Sequence, residues 1–80
     1  MKQIGNYISG DAVVLDNFTS SWNTVSLDPC VFYRHLDDFQ ESFKQTKGPY
    51  SHIDMGQYIS VRFAEKRDLT DFYKVHRMYI

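Results

Sequence analysis

Eighty residues with nine Lys and Arg against ten Asp and Glu make one small, nearly neutral domain, and a single cysteine excludes an internal disulfide. A formal charge of −1 and a pI of about 6.2 are far from the basic balance of a nucleic-acid footprint. No run approaches the roughly 18 apolar residues of a membrane span, and Lys2 has no apolar core behind it. Neither a membrane segment nor a signal peptide is expected, and a cytoplasmic, reducing setting is.

In chain order, residues 2–9 and 12–18 are β-prone runs broken by Gly10-Asp11, which predicts an N-terminal hairpin. Trp22 falls in a polar loop. Residues 24–27 have the composition of a short strand that Asp28-Pro29 stops. From residue 30 one pattern occurs twice. Val31-Phe32-Tyr33-Arg34-His35 precedes Leu36-Asp37-Asp38-Phe39, and Ile59-Ser60-Val61-Arg62-Phe63 precedes Leu69-Thr70-Asp71-Phe72. Each copy alternates like a strand and then repeats like a helix.

Leu36, Phe39 and Phe43 mark the first helix, and Gly48-Pro49 ends it. A strand at 50–54, a turn at Met55-Gly56-Gln57 and a strand at 58–63 follow. Asp68 then reads as the cap of a helix over 68–76, with Leu69, Phe72, Tyr73 and His76 on its inner stripe. Residues 78–80 read as a closing strand. The expected fold is α+β, a ferredoxin-like split βαβ with an antiparallel sheet and two helices on one face. It occupies residues 30–80 of a single domain, with residues 1–29 as a hairpin extension. The expected core is Leu36, Phe39, Phe43, Ile59, Val61, Phe63, Leu69 and Phe72.

Over residues 30–76 these motifs resemble an RNA-recognition-motif domain. Val31-Phe32-Tyr33-Arg34-His35-Leu36 is similar to the family's first-strand signature, and Gly56 through Phe63 to its third-strand signature. Arg67-Asp68-Leu69 is similar to the start of the family's second helix. The resemblance implies that Phe32 and Tyr58 stack on RNA bases. The third stacking position falls on Ser60, and the usually basic head of the third-strand signature falls on Gly56.

The alternating strands would place Phe32, Arg34, Tyr58 and Arg62 on one outward sheet face, with Trp22 and Tyr50 on loops and Lys66 nearby. That face is either a contact surface or core covered by residues 1–29. His52 and Asp54 share one side of a strand but lack a third metal ligand, and Cys30 has no activating motif. No phosphate loop or hydrolase signature occurs. No catalytic residue, metal or cofactor is therefore expected. Asp37, Asp38 and Glu41 form an acidic patch suited to a basic partner.

These features predict a small non-enzymatic binding protein, an adaptor or an inhibitor of a larger complex, of the kind phages and other mobile elements carry against host defences. Its expected partner is a protein, including a nucleic-acid-binding complex, and its expected state is monomer or homodimer. A single-stranded RNA-binding module is the alternative.

Overall fold

The computed structural model describes residues 2–4 and 6–79, with the backbone alone for residues 2–4. Among these residues five strands form one mixed sheet, β1 (Lys2–Ile4), β2 (Tyr7–Ser9), β3 (Asn23–Leu27), β4 (Tyr50–Asp54) and β5 (Ile59–Phe63), in the order β1-β2-β4-β5-β3. The helices are α1 (Ala12–Phe18), α2 (Pro29–Arg34), α3 (Leu36–Phe43) and α4 (Lys66–His76), and a 3-10 turn spans Arg77–Tyr79. The chain is thus α+β, and no helix among the described residues is long and apolar enough to cross a membrane.

β5 is the organising strand. It pairs antiparallel with β4 on one side and β3 on the other, so β3 and β4 run in the same direction with β5 between them. β2 adds to β4 in parallel, and β1 pairs antiparallel with β2. Register places Val25, Val61 and His52 in one row and Leu27, Ile59 and Asp54 in another. Alternation then sends Ile59, Val61 and Phe63 to one face and Ser60 and Arg62 to the other.

The first face carries the main core. Val25, Leu27, Ile59, Val61 and Phe63 meet Phe32 of α2, Phe39 and Phe43 of α3, and Phe72 of α4. Leu36 and Leu69 pack partly buried against this cluster. The rings form a continuous stack, Phe32 on Phe39, Phe39 on Phe72 and Phe72 on Phe43. Offset aromatic pairs of this kind add about 0.5–1.5 kcal/mol each beyond the area they bury. The opposite face carries α1, where Leu15 packs with Ile8, Ile53 and part of Trp22.

Three expected elements take another form. Val31 to Arg34 are helical: Asp28 is an N-cap whose carboxylate accepts from the Cys30 N–H at 2.8 Å, and Pro29 occupies the first turn. A cap followed by Pro is a start signal for a helix, and here it outweighs the β propensity of Val, Phe and Tyr. The strand preceding the first long helix is therefore residues 23–27. Residues 12–18 are likewise helical, because Asp11 caps Val13 at 2.9 Å and only Leu15 needs burial. The N-terminal antiparallel pair is β1 with β2, and residues 12–18 take no part in it. Residues 77–79 form a 3-10 turn, and Ile80 lies outside the described residues, so the strand order is not that of the expected ferredoxin-like sheet.

The strands at 50–54 and 59–63 and the helix from Leu36 lie where expected. Gly56 adopts φ +88° in the β4–β5 turn, a left-handed conformation that glycine takes without strain. α4 begins at Lys66, two residues before Asp68, and the Asp68 carboxylate instead accepts from the Lys47 and Gly48 N–H groups at 3.0 and 2.9 Å. That buried carboxylate ties the loop after α3 to the first turn of α4. Tyr73, expected on the inner stripe, is 49 % exposed.

Candidate functional site

The residues expected to share an outward face are dispersed by the fold. Phe32 is 1 % exposed in the main core, because its segment is a helix. Arg62 does lie on the face opposite the core, but α1 covers it, leaving the side chain buried. Its guanidinium pairs with Asp16 Oδ1 at 2.7 Å and donates to the Asp16 carbonyl, Thr19 Oγ1 and Ser60 Oγ. Tyr58 is exposed in the β4–β5 turn, Arg34 at the end of α2 and Lys66 at the start of α4. Trp22 is half-buried beneath Phe18, and Tyr50 is half-buried against Phe43. Phe32 and Arg62 are thus buried on opposite faces of the sheet, and neither belongs to an open face.

His52 and Asp54 sit on β4 as expected, but no group of three His, Cys, Asp or Glu gathers around them among the described residues. His52 instead stacks on Tyr7 at a ring separation of 5.5 Å and meets the tilted ring of Phe32 at 5.4 Å. It borders a cleft of about 170 Å³ with Tyr7, Phe32, Leu36 and Tyr50. Its Nδ1 has no hydrogen-bond partner among the described residues.

The acidic patch is where the sequence reading acquires shape. Asp38 and Glu41 line one wall of a groove between α3 and α4. Two hollows of about 410 and 260 Å³ share Ser42, Gln45 and Val75 as a common wall. Asp71 borders the smaller hollow, and Met78 and Tyr79 border the larger one. Val75 and Met78 are 64 % and 80 % exposed, so apolar surface lies open beside the carboxylates. Lys44 approaches Glu41 at 3.8 Å with both side chains exposed, a pairing worth at most about 1 kcal/mol that leaves Glu41 free to exchange partners.

The groove floor is held by a hydrogen bond between Ser42 Oγ and His76 Nε2 at 2.6 Å, joining helices 34 residues apart in sequence. Burial pushes the His76 imidazole below the usual histidine range, and the Asp38 carboxylate opposes this only in part. Burial likewise lowers His52, against a smaller pull from Asp54. The Ser42–His76 contact links α3 to α4.

The two lowered histidines give an expected pH dependence. The unfolded chain takes up both protons near the ordinary value of about 6.5, whereas the folded protein does so only at lower pH. Their contribution to stability is present in full above about pH 6.5 and is lost as the pH falls from there through the folded values. Urea midpoints should therefore drop between about pH 7.5 and about pH 5.5, and a His52→Phe variant should show a shallower drop. Equal slopes for both proteins would contradict the assignment to His52.

No family model, curated protein or solved structure matches the chain.

Proposed function

We propose that this protein is a small non-enzymatic binding domain that docks on another protein inside the cell, as an adaptor or an inhibitor of a larger complex. The contact is the α3–α4 groove, and the occupant is a basic amphipathic segment of the partner. The observation that carries the reading is the juxtaposition of Asp38, Glu41 and Asp71 with the exposed apolar side chains of Val75 and Met78 along one groove. An amphipathic helix places apolar anchors at i, i+3 and i+4 and keeps its charges beside them, which matches apolar surface flanked by carboxylates. Segments of this composition occur in nucleic-acid-binding proteins, the partner class that the acidic patch suits. In the same reading, β3, the α2–α3 pair and β4, with β5 between the strands, form a split β–α–β unit that departs from the ferredoxin-like order in its N-terminal strands and its C-terminal turn.

A synthetic Lys/Leu amphipathic helix tests the proposal directly, with the same peptide carrying Glu for Lys as control. The basic peptide should bind, more weakly as salt is added, and an Asp38→Lys/Glu41→Lys variant should lose about tenfold or more in affinity. Equal binding of both peptides, or an unaffected variant, would remove the groove as the site. Single-stranded RNA is the competing ligand. Its supposed stacking pair is divided, with Phe32 in the core and Tyr58 in a turn. RNA binding at low salt by a protein that ignores the basic peptide would favour that alternative.

A further inference from the structure

We propose that β3 pairs with β3 of a second copy of this chain, extending the sheet across a two-fold axis centred on Val25. β3 closes one side of the sheet, and its neighbour on the other side is β5 alone. In an antiparallel ladder alternate residues turn their N–H and C=O groups away from the paired strand. Among the described residues those of β3 form no further backbone hydrogen bond.

Natural edges are usually blunted by lysine, proline, a bulge or extreme shortness. β3 has none of these. Asn23-Thr24-Val25-Ser26-Leu27 is uncharged, contains no proline, and pairs residue for residue with β5 over five positions.

The strand is also complementary to itself. Read in either direction from Val25 it runs hydroxyl, then an amide or apolar residue. Antiparallel pairing about Val25 sets Val25 against the partner's Val25 and Thr24 against the partner's Ser26. The hydroxyl pairs share the exposed face and no like charges meet, an arrangement that favours cross-strand pairing.

α4 packs over β3 and β5 on the core face. With strands about 4.8 Å apart, the two copies of α4 then lie about 10 Å apart, a normal helix–helix separation. Asp71 and Val75 line the α3 side of α4, so helical spacing puts Leu69 and Tyr73 on the opposite flank, towards the open edge. The half-exposed Tyr73 ring is thereby carried to the new contact. Five paired residues span only about 17 Å and bury less than the roughly 1,200–2,000 Å² of a stable interface, so the dimer is concentration-dependent.

Sedimentation velocity from about 10 µM to about 1 mM tests this, a range set by the weak affinity of small interfaces. The mass should rise from 9.5 kDa towards twice that value. Thr24→Lys with Ser26→Lys sets like charges opposite each other and should hold the protein monomeric throughout. Thr24→Lys with Ser26→Glu sets opposite charges across the same two pairs and should restore the dimer. Circular dichroism confirms that each variant is folded. A wild type that stays monomeric, a dimer that survives the double-lysine change, or a Lys/Glu variant that stays monomeric would each overturn the proposed pairing.

Discussion

Truncating Phe39 to alanine is expected to remove most of the protein's stability. Phe39 is fully buried, and its ring meets Phe32, Phe72, His76 and Tyr79 at centroid distances of 4.8–5.7 Å. It is the point where α2, α3, α4 and the C-terminal turn converge. Removing a buried phenyl ring costs about 3–5 kcal/mol, because the cavity adds to the lost transfer energy. Domains of this length hold only about 4–12 kcal/mol in total. Tyr73→Ala, on an exposed side chain of α4, should change stability by about 0.5 kcal/mol or less in a monomeric sample. Urea denaturation separates the two. Equal midpoints for Phe39→Ala and Tyr73→Ala would contradict the assignment of the core.

The second large effect is expected at Arg62, through a different mechanism. Its guanidinium is the centre of a buried polar knot that fixes α1 to the sheet. α1 itself buries a single apolar residue, Leu15, so the knot supplies much of what holds the helix in place. In Arg62→Ala the Asp16 carboxylate regains water because it is half exposed. Ser60 Oγ loses its arginine donor, and the Thr19 hydroxyl keeps its bond to the Leu15 carbonyl. The cost should be about 2–3 kcal/mol, below the roughly 3–5 kcal/mol of a fully buried pair broken from one side. Because α1 contributes little to the main core, the loss should be local. Hydrogen exchange at residues 12–18 should accelerate more than at β5, and Asp16→Asn should show a smaller change of the same kind. Uniform acceleration across the chain would mean that α1 and the main core open together.

Local signals carried the sequence reading as far as they reach. β5 and β4 were legible because Ile59, Val61 and Phe63 alternate and Gly56 marks the turn between the strands. α3 and α4 were legible from Phe39 and Phe43 and from Phe72 and His76 at helical spacing. Asp28-Pro29 was legible as punctuation but ambiguous in meaning, since the same pair stops a strand and starts a helix. The apparent doubling of a strand–helix unit depended on that ambiguity. Once Pro29 opens α2, the first copy shifts back to Asn23–Leu27.

The candidate site was legible only in part, for a similar reason. Asp38 and Glu41 stand out in the sequence as an acidic cluster. What faces them does not, since Val75, His76 and Met78 reach the groove only when α4 packs against α3. The outward direction of Arg62 followed from strand alternation, but its partner Asp16 lies 46 residues away on a segment whose helicity rests on one capping aspartate. Burial of that arginine is a tertiary fact, and it removes Arg62 from any contact surface.

In the proposed mode of action, α3 and α4 together present the docking surface. The most direct measurement is an amide chemical-shift map of the isotope-labelled protein titrated with the basic amphipathic peptide. Progressive shifts are expected at Asp38, Glu41, Ser42, Gln45, Asp71 and Val75, with residues of α1 unmoved. Shifts confined to α1 or to the β4–β5 turn, or none at saturating peptide, would contradict it.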